Sequence, residues 1–111
     1  MRFTGKSVVI TGATGGLGRA AAQRFYDEGA NIALVDLHQK DIDALLQTFD
    51  ADSRRIIGIE ADVSKDTDVK NYVKETMATF GRIDTLFNNA GIEGSISSLE
   101  DYEEEIFDRV V

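Results

Sequence analysis

Val8-Val9-Ile10-Thr11-Gly12-Ala13-Thr14-Gly15-Gly16-Leu17-Gly18 is the stretch from which the architecture follows. The run Ser7 to Thr11 is β-branched and apolar, and Gly12 ends it. From about Gly16 the apolar spacing changes to that of a helix, with Leu17, Ala20, Ala21 and Phe25 on one face and Gly29 as the stop. A strand that turns into a helix through glycine is the opening of a βαβ unit.

Working outward, the same alternation repeats. Asn31 to Asp36 reads as a second strand, and Ile42, Leu45, Leu46 and Phe49 recur at helical spacing. Arg55 to Glu60 reads as a third strand. Val69, Tyr72, Val73, Thr76, Met77 and Phe80 form a helical stripe, with Ser64 as the expected N-cap and Gly81 as the stop. Thr85 to Asn88 is a fourth short strand. Leu99, Tyr102, Ile106, Phe107 and Val110 begin a further helix, with Ser97 to Glu100 resembling a capping box. Parallel neighbours cannot be joined by hairpins, so this alternation demands helical crossovers. The fold class expected is α/β: a Rossmann-type, doubly wound parallel sheet, truncated after about four strands. Residues 1–111 read as a single domain, incomplete at the C-terminus, with Leu86 and Phe87 on an unpaired edge.

Composition narrows the partners. Twenty acidic residues against 12 basic ones give a formal charge of -8, which repels a phosphate polymer and argues against nucleic acid. Cysteine is absent, so no disulfide framework or thiolate metal site is available. No apolar run is long enough to span a bilayer, and the first residues lack the apolar core of a signal peptide, so a cytoplasmic protein without membrane contact is expected. No metal is expected either. Glu103, Glu104 and Glu105 point apart on a helix, and the Asp50 to Arg54 run lacks the glycine and closing glutamate of a calcium loop. His38, the single histidine, has no evident nucleophilic partner.

The glycine loop carries the chemistry. A diphosphate seated at a helix N-terminus needs exposed N–H groups and no Cβ in its way. Gly12 suits the tight turn, Gly16 a close backbone approach to phosphate, and Gly18 close packing of helix on strand. The spacing G-x-G-x-x-G/A fits Gly16, Gly18 and Ala21, but Gly16 lies far past the strand end. Counting from the strand gives Gly12-x-x-x-Gly16-x-Gly18, and Gly15 also permits Gly12-x-x-Gly15-x-x-Gly18. Asp36 ends the next strand, where a carboxylate accepts hydrogen bonds from an adenosine ribose and repels a 2′-phosphate. Leu37 beside it brings no compensating charge, so NAD is expected over NADP, with His38 and Lys40 the nearby cations that a 2′-phosphate would have to use. A different Rossmann ligand class, such as S-adenosylmethionine, is disfavoured by the wide glycine loop.

Together, Thr11 to Gly18, the pair Asp62-Val63, and Asn88-Asn89-Ala90-Gly91 resemble the short-chain dehydrogenase/reductase family over essentially the whole chain. The resemblance favours the Gly12, Gly16, Gly18 register. It implies that Gly12, Thr14, Gly15, Gly16, Leu17 and Gly18 line the pyrophosphate, that Asp62 and Val63 border the adenine, and that Asn89, Ala90 and Gly91 line the adenosine ribose. Asn88 is expected to tie the central strands together. Relatives that prefer NADP often carry a basic residue where Gly15 or Leu37 stands here. A homo-oligomer and a small hydroxyl- or carbonyl-bearing substrate are also implied, with hydride transfer to or from nicotinamide in the complete enzyme.

The family's acid/base is a Tyr-x-x-x-Lys pair, assisted by Ser and Asn. Four positions beyond Tyr26, Tyr72 and Tyr102 stand Ala30, Thr76 and Ile106. No catalytic residue is therefore expected within the chain. It reads as the NAD-binding part of an oxidoreductase, or alternatively as a standalone dinucleotide-binding module without chemistry.

Overall fold

The computed structural model describes residues 2–50 and 53–89. Its elements follow the expected alternation: β1 (Ser7–Thr11), α1 (Gly16–Asp27), β2 (Asn31–Asp36), α2 (Gln39–Leu46), β3 (Ile56–Glu60), α3 (Asp66–Phe80) and β4 (Thr85–Asn88). The expected final helix, its Ser97 to Glu100 cap, and Ala90 and Gly91 lie outside the described residues.

Among the described residues all pairings are parallel and the strand order is β3-β2-β1-β4. Successive strands therefore march one way from β1 to β3, and the chain then returns to the other side of β1. Among the described residues β4 and β3 form the two edges of the sheet. Reversal of winding at β1 opens a crevice beyond the carboxyl ends of the strands, the place where open α/β sheets take ligands.

Alternation along the strands sorts the core into two layers. Val8, Ile10, Ile32, Leu34 and Ile56 face one side, under α1 and α2. Val9, Ala33, Val35, Ile59 and Leu86 face the other, under α3. Every residue of β1 is buried, as a strand covered on both faces requires. Gly58 lets α2 approach the sheet: a Cβ there would lie 2.3 Å from Ile42 Cγ2.

Three local expectations are corrected. The packing face of α1 is not Leu17 and Ala20, which are exposed, but Gly18, Ala21, Ala22 and Phe25. These positions keep helical spacing, and the face is set by Gly18, which presses against the turn below it. Met77 is exposed, so the buried stripe of α3 runs through Val69, Tyr72, Val73, Thr76 and Phe80. Ser64 is not the N-cap of α3: Lys65 holds that place, and the Ser64 hydroxyl donates to Asp62 Oδ1 instead. Ser64 is consumed by an Asx turn, which competes with helix capping for the same hydroxyl. Both expected glycine stops hold, with φ of +94° at Gly29 and +78° at Gly81.

Candidate functional site

The glycine loop sits at the carboxyl end of β1. Gly12 has φ +63°, the left-handed conformation that makes the tight turn. A Cβ on Gly18 would lie 2.4 Å from Gly12 O and 2.8 Å from Ala13 Cα, so the helix rests directly on the turn. Gly15 has ordinary room for a Cβ, with Gly12 O at 3.5 Å, and a Cβ on Gly16 would meet nothing within 4 Å. The G-x-G-x-x-A spacing from Gly16 is thus not the turn, because Gly16 already lies within α1. The left-handed turn demands Gly12 and the packing of helix on turn demands Gly18, whereas Gly16 faces open space.

The N-terminus of α1 is electrostatically unfinished. Its N-cap is Gly15, which makes no side-chain capping bond, and its first turn carries no acidic residue. By contrast α2 has Asp41 in its first turn and α3 has Asp66 and Asp68. The first helical hydrogen bond runs from Arg19 N–H to Gly15 O at 2.9 Å. The N–H groups of Gly16, Leu17 and Gly18 therefore have no carbonyl of the helix before them. With the positive end of the helix dipole, they make a place for an anion.

Beside this loop, a cavity of about 280 Å³ is lined by Gly12, Asp36, Leu37, Ala61, Asp62, Val63 and Ser64. These residues come from the ends of β1, β2 and β3, which are hydrogen-bonded neighbours. Leu37 and Val63 give it apolar walls, and Asp36 and Asp62 bring the carboxylates. Sequence reasoning had Asp36, Asp62 and Val63 as site residues and passed over Leu37, Ala61 and Ser64 as lining. The signal for Leu37 was its place, an exposed apolar residue directly after the strand-end carboxylate.

Asp36 is more tied down than a free strand-end carboxylate. Its Oδ2 accepts from Thr14 N–H at 2.8 Å and from Thr14 Oγ1 at 2.6 Å, and its Oδ1 accepts from Leu37 N–H at 2.7 Å. Partial burial pushes the Asp36 carboxyl upward, but the Thr14 hydroxyl, the two amides and nearby His38 outweigh it and hold it below the usual range. Asp62 is lowered too, chiefly by the Ser64 hydroxyl and amide that donate to it. Its own N–H donates to Asp68 Oδ2 at 2.8 Å, fixing the turn that leads into α3.

On the other flank, Asn89 N–H donates to Thr11 O and Asn89 Nδ2 to Gly12 O, at 3.3 and 3.2 Å. Asn89 thus buttresses the glycine turn from the end of β4. Asn88 links the strands as expected: Thr11 Oγ1 donates to Asn88 Oδ1 at 2.7 Å, and both residues are buried. The structure brings Gly12, Thr14, Gly15, Gly16, Leu17, Gly18, Asp36, Asp62, Val63 and Asn89 to one rim. No group of His, Cys, Asp and Glu suited to a metal ion occurs among the described residues.

Residues 6–111 match the family described as short chain dehydrogenase. Levodione reductase from Leifsonia aquatica is 44% identical over 99% of this chain, which covers 42% of that protein. The solved structure of levodione reductase aligns over 99% of this chain and 43% of its own, with a TM-score of 0.73. A short-chain dehydrogenase/reductase from Burkholderia phymatum, solved in complex with NAD, is 31% identical with a TM-score of 0.72, covering 78% of this chain and 31% of that one. The C-domain of bacterial malonyl-CoA reductase, solved with NADP, is 30% identical with a TM-score of 0.74, covering 85% of this chain and 16% of that one. The chain spans about two fifths of the length of the curated relatives it matches. With a family match that runs from just before β1 through the end of the sequence, this chain belongs to the short-chain dehydrogenase/reductase family.

Proposed function

We propose that this chain is the NAD-binding portion of an oxidoreductase, the complete protein transferring a hydride between nicotinamide and a hydroxyl or carbonyl carbon of a small substrate. One observation carries the reading: the glycine turn that leads into an uncapped helix N-terminus lines, through Gly12, the same cavity as the strand-end carboxylate of Asp36. The N–H groups of Gly16, Leu17 and Gly18 would hold the diphosphate, with Gly16 leaving the space a Cβ would fill. Asp36 would accept from the adenosine ribose. Leu37 and Val63 would flank the adenine, with Asp62 at its border. Asn89 would hold the ribose side of the loop, joined by Ala90 and Gly91 on the strength of the family resemblance. Bound there, the dinucleotide supplies the hydride donor or acceptor.

NAD is favoured over NADP by charge. A 2′-phosphate would meet the Asp36 carboxylate, with apolar Leu37 and side-chain-free Gly15 in the places a cation would need to occupy. Relatives of both cofactor types exist, so the preference rests on these residues of this chain. The net charge of -8 supports the absence of a nucleic-acid partner. No helix of the described residues is long and apolar enough to cross a membrane. A homo-oligomer is the expectation drawn from the family.

Titration calorimetry with NAD and NADP tests the reading. Unmodified chain should bind NAD more tightly than NADP. Asp36→Ala removes a hydrogen bond to a charged acceptor, worth about 1.5–3 kcal/mol, so NAD should weaken by roughly ten- to a hundredfold. NADP should change far less. Equal losses for both would remove Asp36 from the ribose.

A further inference from the structure

We propose that Thr14 is a positioning residue for nucleotide selection, acting through Asp36. This rests on the site being a dinucleotide site and deepens that reading. A carboxylate offers about four acceptor positions. Three are filled within the chain: two on Oδ2 by the Thr14 amide and hydroxyl, and one on Oδ1 by the Leu37 amide. One position remains, on Oδ1, and Asp36 lines the cavity. The carboxylate therefore meets a ribose as a single acceptor of fixed orientation rather than as a freely turning pair.

Thr14 suits this task. It belongs to the loop between β1 and α1, and its hydroxyl reaches a carboxylate at the end of β2. Its β-branched side chain has few rotamers, so the hydroxyl costs little to hold in place. The contact ties the loop that receives the diphosphate to the group that receives the ribose. It also pins a negative charge beside the place a 2′-phosphate would occupy. Without the hydroxyl, Asp36 keeps only its two amide donors, gains a vacant position on Oδ2 and can turn away from a phosphate.

The test is calorimetry with NAD and NADP on the unmodified chain and on Thr14→Val, Thr14→Ser, Asp36→Ala and the Thr14→Val/Asp36→Ala double variant. Thr14→Val should weaken NAD by roughly three- to tenfold and narrow the preference for NAD over NADP. Thr14→Ser, which keeps the hydroxyl, should restore both. In the Asp36→Ala background Thr14→Val should add nothing, because the hydroxyl has lost its partner. A role confined to loop stability predicts equal weakening of NAD and NADP that persists in the double variant, and that result overturns the proposal. So does a Thr14→Val chain that binds NAD as tightly as the unmodified one, or more tightly. Failure of the unmodified chain to bind NAD at all would instead remove the underlying reading of the site. One measurement needs no substitution: the Thr14 amide resonance should move with the titration of the Asp36 carboxyl. An amide indifferent to that titration also overturns the proposal.

Discussion

Exchanging two neighbouring glycines for alanine should have opposite consequences, and the difference can be worked from the backbone alone. At Gly18 the new Cβ would sit 2.4 Å from Gly12 O, 2.8 Å from Ala13 Cα and 3.0 Å from Ala13 O. Carbon atoms prefer about 3.5–4.0 Å, so α1 must retreat from the turn by on the order of 1 Å. Every obstructing atom is backbone, and Gly12 is committed to its left-handed turn. The cost therefore belongs at the upper end of the roughly 1–3 kcal/mol typical of overpacking. Alanine returns up to about 1 kcal/mol of helix propensity. The net loss is about 2 kcal/mol, equivalent to a fall in Tm of roughly 10 °C for a domain of this size. At Gly16 the new Cβ meets nothing within 4 Å, so only the propensity gain remains and stability should hold or rise. Its methyl group would, however, stand where a diphosphate approaches the N–H groups, and NAD affinity should drop by at least about tenfold, or 1.4 kcal/mol. Urea unfolding followed by circular dichroism reads the first quantity, and calorimetry with NAD the second. A Gly18→Ala chain more stable than its parent would refute the contact argument. A Gly16→Ala chain that binds NAD normally would remove the open face of α1 from phosphate recognition.

Acid should act through Asp84, whose carboxyl the Arg82 guanidinium holds below the usual range, with the Ser7 amide donating as well. A pKa lower in the folded chain than in the unfolded one gives stability that is present above about pH 4 and lost as pH falls through the lowered value. Melting temperatures of the parent and Asp84→Asn should therefore differ at pH 7 and draw together as pH falls below about 4. A gap that stays constant over that range would exclude Asp84 from the acid limb. Dehydrogenase assays on these 111 residues should give no turnover with added NAD and alcohol substrates, since no Tyr stands four positions before a Lys. Product formation above background would require an acid/base outside that pattern.

The sequence by itself determined the order and type of the elements from β1 to β4, because period-two and period-3.6 apolar patterns are local properties of the chain. Gly29 and Gly81 marked helix ends, and Gly12 marked the turn, for a reason equally local: a left-handed φ suits a residue without a Cβ. Candidate site residues were legible for the same cause, since in a parallel sheet whatever follows a strand lands on one rim, as Gly12, Asp36, Asp62 and Asn89 do.

Tertiary structure alone decided what required two segments to meet. The face of α1 shifted from Leu17 and Ala20 to Gly18 and Ala22 because contact with Gly12 and Ala13 sets the helix's rotation, and no periodicity within the helix encodes it. Ser64 went to Asp62 rather than to the helix, a choice between two partners equally near in sequence. The hold of Thr14 on Asp36 spans a whole helix of intervening chain and exists only because β1 and β2 are hydrogen-bonded neighbours. Patterning is read from one segment at a time. Contacts and orientation depend on which segments the sheet places side by side.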